Sequence, residues 1–271
     1  MSLLLLVSRF RSEQPIPTTS DIRIIHDRLL DSLEVLIMKS YIVAFCSLIL
    51  LATVGFSQSR AELELLEKQL EGPDQAKALE AVMKAPDQFP AHILLLGAGV
   101  ALNEKRLEDS AFLFYAGQLR AQFDKECFPP KGTGGDSPFV AYSALFQQYG
   151  SAINPAVMAE PKVFAKAIER LKNWNPKAPK EYDPSYEFTE RKSEKDANEA
   201  VKQNRTEFLS RLSGLSSLLN DAEYFTAFRV VQAYNKASDD KRRPTNEEKE
   251  KATETMKRIE KDKGLKGFFS K

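Results

Sequence analysis

This chain is poor in the residues that carry out chemistry. Its 271 positions hold two histidines, two cysteines and one tryptophan. That leaves little for a transition-metal shell, which takes four nitrogen or sulfur ligands, or for a nucleophile with its base. No Gly-x-Ser-x-Gly elbow is present, and no run of carboxylates has calcium-loop spacing. An excess of either charge is missing too: 39 basic residues meet 38 acidic ones, for a formal net charge of +1. Binding a phosphate backbone needs a basic excess or a basic face, so nucleic acid is excluded as the main partner. Sustained two-residue alternation is also absent, which argues against strands. What remains is a globular composition, 42% hydrophobic, above the range of disordered chains.

One long apolar run is present. Met38-Lys39 precedes the uncharged stretch from Tyr41 to Phe56, with the small residues Gly55, Ser57 and Ser59 placed for cleavage. This is the layout of a secretory signal peptide over 38–59. The run is shorter than the roughly 20 residues a spanning helix needs. Cys46 follows the bulky Phe45, which does not fit a lipobox. We therefore expect a secreted or periplasmic protein with no stable membrane anchor after cleavage. Residues 1–37 read as an upstream extension from a misassigned start, with Met38 the initiator. The alternative is a real extension, since Ile22, Ile25, Leu29, Leu33 and Leu36 share a helical face. The mature chain would keep His92 and Cys127 alone of their kinds, so no internal disulfide forms and the core must hold the fold.

Helical patterns dominate the remainder, near 60–71, 74–84, 91–104, 107–125, 138–149, 161–173, 192–219, 222–237 and 245–262. Pro73, Pro90, Pro138, Pro155, Pro161 and Pro244 lie at or next to the start of such patterns, where a missing N–H costs nothing. Ser137, Asn154, and Thr245 with Glu248 read as caps. The pair 91–104 and 107–125 is apolar nearly all round and must be covered on several faces. The fold class expected is all-α: a compact right-handed stack or bundle of helix hairpins around 91–125. A central domain would span 60–175, covering helices 176–237 and a charged tail 238–271.

The segment Leu107-Glu108-Asp109-Ser110-Ala111-Phe112-Leu113-Phe114-Tyr115 resembles the second helix of a tetratricopeptide unit, and Leu96-Gly97-Ala98-Gly99 its first. The register differs by one residue, and no second copy follows at a period of about 34. A helix pair of that style is implied rather than a repeat array. Phe114-Tyr115-Ala116-Gly117-Gln118-Leu119-Arg120, then a glycine-rich loop, then Gly150-Ser151-Ala152-Ile153-Asn154 is similar to an uncharacterised family of exported bacterial helical proteins. That likeness covers roughly 85–175 and implies no catalytic residues.

Two constellations are candidates for binding. In the loop 127–137, Gly134 and Gly135 permit exposed backbone N–H groups, and Lys131 and Asp136 flank them. Such a loop either binds an anion beside the helix start at Pro138 or simply connects helices. Tyr115, Gln118 and Gln122 lie at i, i+3 and i+7 with Arg120 nearby, on an otherwise apolar helix. They either line a groove that reads a peptide or satisfy buried polar groups. A His92–Cys127 nucleophile has no local signal for a lowered thiol pKa, so a packed histidine and a buried cysteine are expected. Trp174 reads as a core anchor at a helix end. By subtraction, the chain is expected to be non-enzymatic, to need no metal or cofactor, and to bind another protein or peptide. The alternatives are a hydrolase of glycan type using paired carboxylates or a small-ligand carrier with an enclosed apolar pocket.

Overall fold

Serine and threonine set several of the helix starts, at Ser137 and Thr245 as their spacing predicts and at Ser59 as a cap the sequence reading did not name. Ser59 and Glu62 form a reciprocal capping box at the head of α1 (Arg60–Glu71), and Thr245 with Glu248 does the same for α9 (Asn246–Asp262). Between them run α2 (Gln75–Lys84), α3 (Ala91–Asn103), α4 (Leu107–Cys127), α5 (Pro138–Met158), α6 (Pro161–Lys172), α7 (Glu194–Leu219) and α8 (Ala222–Lys236). The structure, a computed structural model, describes residues 59–132, 134–236 and 243–265. The readings of 1–37, of the signal peptide up to residue 58 and of the Phe268-Phe269 end lie outside the described residues. The fold is all-α, with successive helices packed as hairpins. Among the described residues no helix is long and apolar enough to cross a membrane.

Helix α4 is the axis of the fold. Its partner in the central hairpin is α3, and it also touches α5, α6 and α7. Phe112, Leu113, Phe114 and Ala116 are buried on successive faces, as an all-round apolar helix requires. Close approach depends on glycine where α5 crosses α3, with a Gly99 Cβ meeting Tyr149 at 2.5 Å, and where it crosses α4. A Cβ on Gly150 of α5 would stand 2.9 Å from the Phe114 ring, inside any ordinary carbon contact. Trp174 is buried at the end of α6, its ring edge-on to Phe112 at 6.3 Å.

One helix boundary differs from the sequence reading. Asn154 and Pro155 do not begin a helix: α5 runs through them to Met158. Ile153 and Val157, four apart and fully buried, keep one face of this last stretch on the core. Asn154 is not a cap, because its Oδ1 accepts a hydrogen bond from Tyr115. These tertiary contacts offset the ladder bond that Pro155 removes.

Residues 173–193 form an irregular strap that ties the two helical groups together. Its backbone N–H groups at Lys177, Thr189 and Lys192 bond Asp87 O, Pro129 O and Cys127 O at 3.0, 2.8 and 2.8 Å. A single antiparallel bridge pairs Pro130 with Phe188. Beneath the strap a second apolar cluster gathers Phe123, Cys127, Phe128, Ala178, Tyr182 and Ala197. The charged C-terminal helix α9 lays Ala252, Met256 and Ile259 inward and packs mainly on α8.

Candidate functional site

Tyr115 and Arg120 face the interior, meeting the second of the two readings offered by their positions. Tyr115 is buried among Phe114, Phe164 and Phe208. Its hydroxyl donates to Asn154 Oδ1 at 2.9 Å, and burial raises the phenol above its ordinary range. Arg120 is wholly inaccessible. Its Nε donates to Tyr182 Oη at 2.8 Å and to Asp124 Oδ2 at 3.2 Å. Its Nη1 donates to Lys177 O at 2.6 Å and to Asp87 O at 3.1 Å. The guanidinium lies 4.0 Å over the Tyr182 ring, and Tyr182 in turn donates to Asp124 Oδ2 at 2.8 Å. Burial pushes the Asp124 carboxyl up to about 6 against the pull of Arg120, while Asp124 and Tyr182 hold Arg120 charged. This knot clasps the strap to α4.

The remaining candidates lie elsewhere. Gln118 and Gln122 are half-buried on α4. Lys131, Gly134, Gly135 and Asp136 lie on the surface loop before α5. There the Lys131 ammonium is turned to Glu187 at 3.1 Å, and its own N–H bonds Glu187 O. The fold therefore does not gather the eight residues into one site.

His92 and Cys127 are placed apart. Cys127 lies under the strap with Sγ 3.3 Å from Lys192 O, and burial pushes its thiol up to about 11, away from thiolate chemistry. His92 stacks on Tyr142 with ring centroids 6.5 Å apart, and burial lowers its imidazole to about 4, so it is neutral at pH 7. Among the described residues the two fully buried carboxylates serve separate tyrosines: Asp124 accepts from Tyr182, and Glu260 from Tyr224. Among the described residues no three histidine, cysteine or acidic side chains converge as metal ligands.

The surface feature that sequence reasoning missed is α5 and the groove beside it. Over Pro138–Met158 this helix has no charged side chain, in a chain that is 28% charged. Yet Val140, Ala141, Ala144, Gln147, Gln148 and Ala152 are exposed. Between α5 and α1 runs a groove of about 550 Å³. Leu63, His92, Tyr142 and Leu145 form its apolar lining, Ala141 its α5 lip, and Glu64 and Glu67 its α1 lip. The two large hydrophobic side chains left exposed among the described residues, Leu65 and Val140, are on these same two helices. The available signal was the missing charge over 138–158. No protein-family model, curated protein or solved structure matches the chain.

Proposed function

We propose that this chain is an exported, non-enzymatic helical protein that binds another protein or peptide, with export directed by the signal peptide that begins at Met38. The observation that carries the binding reading is the uncharged, exposed face of α5. A helix in water ordinarily turns charged and polar side chains outward. Here Val140 stands 54% exposed beside Ala141 and Ala144, a pattern suited to a surface that another polypeptide covers. The reading places the contact on α1 and α5, not beside Arg120 and Tyr115, which no incoming chain touches. The carboxylate-hydrolase alternative draws no support from Asp124 and Glu260, each engaged with its own tyrosine.

The test uses affinity-tagged full-length chain, recovered with its partners from the exported fraction of its native cell. The double variant Val140→Glu/Ala144→Glu changes only exposed positions and serves as the matched bait. A polypeptide retained by the natural chain and lost by the variant is the expected result. Identical captures by both baits overturn the assignment of this face. The amino terminus of the recovered bait is read in the same experiment: a start near residues 57–59 is expected, and intact residues 1–37 contradict the export reading.

A further inference from the structure

The groove between α1 and α5 has two unlike walls. On α1, Glu64, Glu67 and Glu71 recur at i, i+3 and i+7, a stripe about 10 Å long at the helical rise. None of the three forms an ion pair among the described residues. Glu67, unlike the exposed Glu64 and Glu71, is partly buried. Burial raises its carboxyl pKa, and the neighbouring Glu71 and Glu64 raise it further. Glu64 and Glu67 line the groove, and Glu71 lies one turn beyond Glu67 on α1. Burial raises the phenol pKa of Tyr149 on α5, and Glu71 lies near enough to raise it further. Two cations are near: Lys68 on α1, and Arg60 at the mouth, which lies 3.4 Å from Asp183. The α5 wall supplies no charge of either sign, and the His92 imidazole on the floor is neutral.

We propose that this groove receives a basic amphipathic helix of a partner polypeptide. Its apolar stripe would lie against Ala141 and Leu145, over the floor that the buried Leu63 and Tyr142 form, and its lysine or arginine edge along Glu64, Glu67 and Glu71. The proposal rests on the protein-binding reading above and gives that partner a chemistry. Charge complementarity selects a basic edge, because three neighbouring carboxylates repel one another until a cation lies among them. The same acids turn away nucleic acid and anionic lipid. The walls select a helix. Both are α-helices with internally bonded backbones and offer no sheet edge, so an extended peptide entering the apolar groove would lose water without gaining backbone partners. A helix brings its own hydrogen bonds and presents an i, i+3, i+4, i+7 stripe. The larger cleft between α8 and α9, about 680 Å³, mixes Glu223 and Glu248 with Arg243 and Lys251 and selects no such partner.

The probe is a fluorescein-labelled synthetic helix of about five turns with a leucine stripe and a lysine edge, titrated with full-length chain and followed by anisotropy. One comparator has glutamate in place of lysine; a second has the same composition scrambled to destroy the stripe. The striped lysine helix is expected to bind, and both comparators to bind far more weakly. The triple variant Glu64→Gln/Glu67→Gln/Glu71→Gln is expected to lose about tenfold in affinity, the sum of three modest surface charge contacts. Ala141→Trp, which fills the groove from an exposed position, is expected to abolish binding. Circular dichroism on each variant checks that the helices persist. Equal binding of the scrambled helix, an unchanged triple variant, or no binding of the striped helix overturns the proposal. The captured partner separates the two claims. If it is lost by Val140→Glu/Ala144→Glu but kept by the glutamine variant, the basic-helix inference falls and the protein-binding reading stands. If both variants keep it, both fall.

Discussion

Replacing Arg120 by methionine would remove the centre of the buried knot while keeping much of the side-chain volume. The guanidinium bonds Asp124, Tyr182, Lys177 O and Asp87 O, and is wholly inaccessible. Without it, Asp124 stays buried with only the Tyr182 hydroxyl to meet it, and must either carry an unpaired charge or take up a proton. Breaking a buried pair in this way costs about 3–5 kcal/mol. In a domain of this size that corresponds to roughly 10 °C in melting temperature. The double variant Arg120→Met/Asp124→Leu removes the stranded charge as well. It leaves the Tyr182 hydroxyl and the Lys177 carbonyl short of partners, while Asp87 O keeps its bond from Lys177 N–H, so it should remain about 1–3 kcal/mol below the natural chain and above the Arg120→Met single. Urea unfolding followed at 222 nm, read as a change in midpoint at constant slope, measures each value. A loss under about 1 kcal/mol for Arg120→Met, or a double variant no more stable than Arg120→Met, would refute the view that this pair clasps the strap to α4.

Four further outcomes follow from the packing. Asp124 has a folded-state pKa of about 6, above an unfolded value of about 3.9. The stability linked to its proton is therefore full below about pH 4 and is lost as pH rises through 6. Asp124→Asn should flatten the stability-versus-pH curve in that window, and an unchanged slope would contradict the assignment. Gly150→Ala forces a Cβ to 2.9 Å from the Phe114 ring; overpacking should outweigh the gain in helix propensity and lower stability by about 1–2 kcal/mol in urea. Pro155→Ala, inside the last turns of α5, should instead stabilise by about 1–3 kcal/mol, and a loss on thermal melting would mean the proline is needed there. Cys127 should resist iodoacetamide at pH 7.5 in the folded chain and react once urea opens the strap, read by peptide mass mapping; rapid native alkylation would show that the thiol is not covered.

Local chemistry made most of the fold legible. Ser137 and Thr245 cap the helices that their spacing predicts, whereas Ser59, read from the sequence only as a small residue of the cleavage site, caps α1. The apolar girdle of α3 and α4 identified the central hairpin, because only burial on several sides stabilises such a pattern. The continuation of α5 past Pro155 was not legible, since Asn-Pro reads locally as a start. What keeps the helix going is Ile153, Val157 and the Tyr115–Asn154 bond, with Tyr115 39 residues away from Asn154. The site fared similarly. Polar residues on α4 were visible, but the partners that turn Arg120 inward lie 33, 57 and 62 residues along the chain. The missing charge over 138–158 was also in view. Its meaning depends on exposure, which appears only when α5 packs on α4 with its outer face uncovered.

The central claim is that the α1–α5 surface is where this protein meets its partner. Site-specific photocrosslinking in the native cell tests it most directly, with a benzophenone amino acid placed at Ala141 on the groove lip or at exposed Glu254 on α9. The account predicts a discrete higher-mass adduct from position 141 and none from 254, with the 141 adduct lost in the Glu64→Gln/Glu67→Gln/Glu71→Gln background. No adduct at 141, or the same adduct from both positions, would contradict it.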